Sequence, residues 1–175
     1  DEINWLARRA DGGFAVTTTA AANVTEHGKG WEGEMGVWGD HHIPGLTKLA
    51  TRLNSTGTIS LVQLFHGGMR APRALNGVRP ISASENTESG MDGEYTREMS
   101  SKEVSQMIQS FTDAAVRCEQ AGFSGVELHG AHSYLICQFL GTKTNRRADQ
   151  WGGDINGRRR FLLELIKSIR AATGE

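Results

Sequence analysis

The sequence predicts an α/β fold with parallel strands, a slice of a (β/α)8 barrel. Three observations predict it. Segments of helical and strand periodicity alternate as helix–strand–helix–strand–helix–strand–helix, so every strand-to-strand crossover contains a helix and the strands run parallel. No glycine run of the G-x-G-x-x-G type joins a strand to a helix, which weighs against a doubly wound dinucleotide-binding sheet. Polar residues gather at the C-terminal ends of all three strands: Thr17 to Thr19, Gln63 with His66, and His129 with His132. In a barrel that end carries the active site.

The elements follow in order. "INWLARRADGG" reads as the end of a helix stopped by Gly12 and Gly13. "FAVTTTA", Phe14 to Ala20, reads as a buried strand with threonines at its far end. A glycine-rich connection leads to Ile43, Leu46, Leu49, Ala50 and Leu53, an apolar series at three- and four-residue steps that Asp40 opens and Gly57 closes. "TISLVQLFHGG" is the next strand. From His66 to Met99 no helical or strand period is visible; a loop of that length in a compact domain is functional or mobile. "SSKE", Ser100 to Glu103, is a capping box that opens a helix with the stripe Val104, Met107, Ile108, Phe111, Ala115 and Cys118, ended by Gly122. "FSGVELHG" is the third strand, Tyr134 to Leu140 a short helical stretch, and Phe161, Leu162, Leu165, Ile166 and Ile169 mark the last helix.

Composition excludes several classes. The chain has 175 residues, a formal net charge of -1 and 38% hydrophobic residues, which suits one globular domain (residues 1–175) and points to neither a nucleic-acid nor a membrane partner. No apolar run approaches the ~20 residues of a spanning helix, and no signal peptide opens the chain. Cys118 and Cys137 make neither a disulfide framework nor a zinc site, which fits a reducing cytoplasm; Cys118 reads as a buried thiol. Both ends read as cuts between elements.

Strand alternation puts Glu127 and His129 on one face and Val126 and Leu128 on the other. The apolar pair faces the helices, leaving His129 at the barrel mouth with His132 and Tyr134 in the turn beyond. Two imidazoles can donate to one substrate oxygen as it gains negative charge, and a phenol can supply a proton to a neighbouring carbon. Those are the needs of a reaction through an enolate or nitronate. The bland reading is a structural His-x-x-His; a metal site lacks a third ligand.

These residues carry a resemblance. "GFSGVELHGAHSYLICQFLGTKTNRRADQWGG", "LVQLFHGGMR" and "GVWGDHHIPGLTKL" are similar to motifs of the Old Yellow Enzyme family of FMN-dependent NADH:flavin oxidoreductases, and the likeness runs nearly end to end. It implies FMN as cofactor, NAD(P)H as reductant and an activated alkene such as an enone as substrate. It implies that Gln63 bonds the flavin's pyrimidine edge, with Thr19 or Ala20 and His129 also close to the flavin. His129 and His132 bind the substrate oxygen, and Tyr134 is the proton donor. Arg147, Asp149 and Arg158 are structural, and Trp31, Trp38 and Trp151 pack. A near alternative is a relative resembling 2,4-dienoyl-CoA reductase, its iron–sulfur cluster outside this chain. A different class is a non-catalytic half-barrel acting as an assembly module.

The chain departs from the family pattern at Trp151 for Tyr, Gly157 for Asn and Ser133 for Gly; a side chain at 133 requires negative φ or accepts strain. The resemblance implies about half of a barrel, without the first strand and the C-terminal strands. This span by itself is then expected to be inactive, and its unpaired strand edges allow a homo-oligomer.

Overall fold

A computed structural model describes residues 2–87 and 95–174. Helix α1 (Glu2–Asp11) leads into strand β1 (Val16–Asn23), with Gly13 at φ 91° making the stop. β1 starts two residues later and runs three further than the expected Phe14 to Ala20. Ala21, Ala22 and Asn23 have weak strand preference alone, yet their backbone continues the ladder to Phe65. Thr17 to Thr19 are therefore mid-strand, not at its end.

Helix α2 (Ile43–Asn54), strand β3 (Ile59–Phe65), helix α4 (Ser101–Gln120), strand β6 (Gly125–Leu128), helix α5 (Leu135–Leu140) and helix α6 (Ile155–Thr173) follow the expected order. The capping box forms as expected: Ser100 Oγ accepts from Glu103 N, and Glu103 reaches back to Ser100 N at 2.8 Å. Asp154, unremarked in the sequence, caps α6 through Asn156 N (2.9 Å) and Gly157 N (3.0 Å). Besides 3-10 turns at Glu26–Gly28, Asp40–His42 and Gly68–Arg70, four further short elements were not foreseen: strand β2 (Met35–Gly36), one-turn helix α3 (Arg73–Asn76), and strands β4 (Ile81–Ser82) and β5 (Arg97–Glu98). The last three fall within the stretch His66 to Met99 read as a loop. A single turn or a two-residue strand is too short to leave a period. Residues 88–94 of that stretch lie outside the described residues.

The main sheet has the order β2–β1–β3–β6, all parallel, and β4 pairs with β5 in parallel beside it. The helices cover one face. Val62, Leu64 and Ala22 meet Leu46, Leu53, Phe111, Ala115, Phe161 and Leu165 there in one buried core, and Phe139 stacks on Phe161 at 4.3 Å. Cys118 is buried in this layer and its thiol is pushed up to about 12 by burial. The other sheet face carries Val16, Ala20, Ile59 and Glu127, exposed, with Leu61 and Gln63 half-buried. Helices on one face only are the mark of a (β/α)8-barrel segment; a doubly wound sheet has them on both.

The loop before α6 is tied down as expected. Arg147, buried, donates to Ala83 O (3.0 Å) and Met99 O and pairs with Asp149 at 2.6 Å, stitching β4 and β5 to the loop. Arg158 donates to Leu140 O (3.0 Å) and Gly153 O (2.6 Å). Gly157 also has a local reason. A Cβ there would overlap the Gly152 carbonyl, so the chain can pass only without one.

Candidate active site

β6 delivers the first histidine. One residue past the strand, His129 N still donates to Leu64 O (3.0 Å), so the sheet fixes its backbone. Ala131 N donates to His129 Nδ1 at 3.3 Å. A neutral His129 therefore carries its proton on Nε2, and that atom lies 3.4 Å from His132 Nδ1. The chain of donors leaves a proton on His132 Nε2, at the exposed end of the pair. Burial, then the neighbouring His132, holds the His129 pKa below its ordinary value against the opposing pull of Glu127. His129 is thus a neutral donor around pH 7.

The turn beyond is strained. His132 (φ 55°) and Ser133 (φ 60°) are consecutive left-handed residues, neither of them glycine. Such a conformation costs about 1–2 kcal/mol per residue and persists only where surrounding contacts over-determine it. Of the two conditions for Ser133, the molecule accepts strain. The result is a sharp reversal that brings Tyr134 back over the strand end. Tyr134 packs edge-on against Phe65 (4.5 Å) and its ring centre lies 5.0 Å from His129 and 6.4 Å from His132. Leu135 N donates to His66 O (3.1 Å), docking α5 on the end of β3.

Gln63 and the β1 bulge lie upstream on the open face. Thr19 and Ala20 are opposite a single residue, between the pairs Thr18–Leu61 and Ala21–Gln63. Thr19 is buried, and its hydroxyl accepts from Gln63 N (3.2 Å) and donates to Ala20 O (2.7 Å). Ala20 is exposed, its N–H turned out of the ladder toward Glu2 Oε1 at 3.1 Å. Of the two positions read as flavin neighbours, Ala20 is the one with open surface. Gln63 Nε2 donates to Glu127. Phe65, two residues beyond Gln63, joins this polar strip to the His129–His132–Tyr134 group.

The structure adds residues that the sequence reading passed over. Arg70 sits with its guanidinium 5.5 Å from the Tyr134 ring centre and donates to His132 O (3.0 Å). Gln138, fully buried, donates to Ser133 O (2.6 Å). Both stand inside quoted motifs, "FHGGMR" and "QFL", but their targets are carbonyls, which leave no trace in a sequence. Trp31, read as packing, lies against Phe65 at 5.5 Å and so flanks the group. Beneath it Glu34 is buried; Oε2 accepts from Gly30 N (2.5 Å) and Oε1 has no partner, and burial raises the carboxyl to about 7. His66 is buried with its Nδ1 accepting from Gly68 N (2.9 Å), and burial pushes its pKa down to about 4, so it stays neutral. Among the described residues no cluster of three or more His, Cys, Asp or Glu could hold a metal ion.

A family model described as the NADH:flavin oxidoreductase / NADH oxidase family matches residues 2–175. The chain is 39% identical over 169 residues to the NADH:acrylate oxidoreductase of Vibrio harveyi, an alignment covering 96% of this chain and 17% of that protein. It is 38% identical over 178 residues to the probable NADH-dependent flavin oxidoreductase YqiG of Bacillus subtilis (strain 168), covering 99% and 46%. Its fold matches 2-naphthoyl-CoA reductase in complex with 2-naphthoyl-CoA with a TM-score of 0.94 at 34% identity, covering 99% of this chain and 28% of that one. It matches the old yellow enzyme homologue from Zymomonas mobilis with a TM-score of 0.92 at 28% identity, covering 99% and 51%. The chain spans less than half the length of both curated relatives.

Proposed function

The chain belongs to the NADH:flavin oxidoreductase / NADH oxidase family, and from that premise we propose that the whole protein is an FMN-dependent ene-reductase that moves hydride from NAD(P)H to an activated alkene such as an enone. When bound, FMN supplies the two-electron relay between the nicotinamide and the alkene's β-carbon. The residues present fit that group. Gln63 offers a planar amide on the open sheet face, able to meet an N–H and a C=O of the pyrimidine edge together, and the exposed Ala20 leaves room beside it. His129 closes the same strip from the strand end.

This chain's own residues then have separable tasks. The Nε2–H of His129 exchanges its bond to His132 Nδ1 for one to the substrate's carbonyl or nitro oxygen, and His132 donates to the same oxygen, where negative charge grows as the β-carbon receives hydride. His129 acts as a neutral imidazole, so it donates without losing a proton to the oxygen. Tyr134 gives its phenolic proton to the α-carbon, which completes addition of two hydrogens across the double bond. Phe65 and Trp31 supply apolar walls that keep water from the oxyanion. The reading implies a cytoplasmic protein, where reduced nicotinamide is at hand.

The observation that carries the reading is the coupled histidine pair, 3.4 Å from nitrogen to nitrogen, beside the Tyr134 ring. A para-substituted phenolate imitates the charged oxygen. Binding of such phenols to the flavin-loaded protein should produce a long-wavelength charge-transfer band, and His129→Ala should lose most of it while keeping its flavin. A full band in His129→Ala would sink the assignment. A second reading keeps these roles but makes the substrate an unsaturated acyl-CoA thioester, favoured by the close fit to the 2-naphthoyl-CoA reductase fold. Comparing kcat/KM for an enone with that for the matching enoyl-CoA decides between them.

A further inference from the structure

The turn that carries the site is held against its own preference. His132 and Ser133 are both left-handed. Their two carbonyls are each taken by a side chain, one from the loop after β3 and one from α5, five residues on. Arg70 Nη1 donates to His132 O at 3.0 Å, and Gln138 Nε2 donates to Ser133 O at 2.6 Å. Gln138 is fully buried, and both ends of its amide are engaged. Nε2 also donates to Gly67 O (3.3 Å), while Oε1 accepts from Met69 N (3.0 Å) and Ser82 Oγ (2.9 Å). Carbonyls only accept and a backbone N–H only donates, so this partner set permits one amide orientation. The pinned amide ties the loop after β3, strand β4 and the 132–133 turn to a single point. Gly68, at φ 59°, makes the approach feasible: a Cβ there would overlap the Gln138 amide.

We propose that Gln138 and Arg70 are the positioning residues of this site: by holding the carbonyls of Ser133 and His132 they keep the left-handed turn that brings His132 and Tyr134 to the sheet-held His129, so that all three face one substrate. Neither touches the reacting atoms through these bonds. They act through the backbone of the turn. The proposal rests on the reading of the two histidines and Tyr134 given above. A released turn would relax toward negative φ, swinging His132 away from His129 and Tyr134 away from Phe65. A shift of about 1 Å at such a site can cost about 10²-fold in rate.

The test uses the full-length, flavin-loaded protein with p-chlorophenol and 2-cyclohexen-1-one as probes. Gln138→Glu keeps an acceptor for Met69 and Ser82 but removes both donors. It is expected to retain flavin, to bind the phenol at least about tenfold more weakly and to lower kcat by about 10²-fold. Adding Ser133→Gly should restore both to within about threefold, because glycine adopts φ near +60° without the steric cost that the clamp otherwise offsets. A purely structural Gln138 would not be rescued that way. Wild-type phenol affinity in Gln138→Glu, or no rescue by Ser133→Gly, overturns the proposal. Should Gln138→Glu fail to fold, Arg70→Met with and without Ser133→Gly carries the same test from the rim of the site, with the same expected loss and rescue; unchanged affinity there overturns it. His129→Ala, run alongside, separates two failures. A band intact in that variant removes the site reading itself. A band lost there but intact in Gln138→Glu removes only the positioning role.

Discussion

Tyr134→Phe removes one hydroxyl and leaves the ring's edge-on contact with Phe65 intact. If that hydroxyl supplies the α-carbon proton, alkene reduction should slow by about 10²-fold or more while flavin reduction by NAD(P)H stays near normal. Rapid-mixing kinetics of the two half-reactions check this; equal slowing of both would make Tyr134 structural. Glu34 gives a prediction with the opposite emphasis, on stability. Its carboxyl in the folded chain sits at about 7, above its ordinary 4.5, because burial disfavours the charge and Oε1 has no partner. The folded state then holds a proton that the unfolded state releases. Stability falls as pH rises from the unfolded value through the folded one. Glu34→Gln cannot ionise, so its urea midpoint should lose less than that of the parent between pH 5 and 8.

The helix ends show how far local chemistry reaches. Ser100 and Glu103 cap α4 reciprocally, and Arg97 adds a paired bond that holds the Glu103 carboxyl down to about 2. Ser100→Ala should lower stability by about 1 kcal/mol without changing phenol binding, measured by thermal unfolding beside the charge-transfer titration. This cap was legible because its partners are three residues apart. The extension of β1 through Asn23 was not, because Ala21 and Ala22 acquire strand conformation from the register with Gln63 and Leu64. Nor were β2, β4 and β5, each a two-residue pairing across a long separation. Ser133 was legible as a choice between negative φ and strain; only the carbonyl clamps of Arg70 and Gln138 decide for strain.

On the scale of the molecule, the sheet is covered by helices on one side and leaves Val16, Ile59 and Glu127 exposed on the other. β2 and β6 present unpaired edges among the described residues. An open apolar face and free edges favour self-association. Residues 1–175 expressed alone should therefore be colourless and oligomeric or poorly soluble, and should not reduce enones with added FMN. Gel filtration and flavin-fluorescence titration check this, and a tightly held stoichiometric flavin on a monomer would contradict it. The sequence by itself determined the alternation of helix and strand, the parallel sheet, the buried stripes and the approach of His129, His132 and Tyr134 to one strand end. These depend on periods of two and 3.6 residues and on neighbours within a few positions, which a linear chain displays. Only the tertiary structure decided that Thr19 is buried while Ala20 is open, that Glu34 Oε1 lacks a partner, and that Gln138 and Arg70 hold the turn. Each depends on how the folded chain packs around the residue, and backbone carbonyls, which every residue carries, give no signal until the fold selects which of them are held.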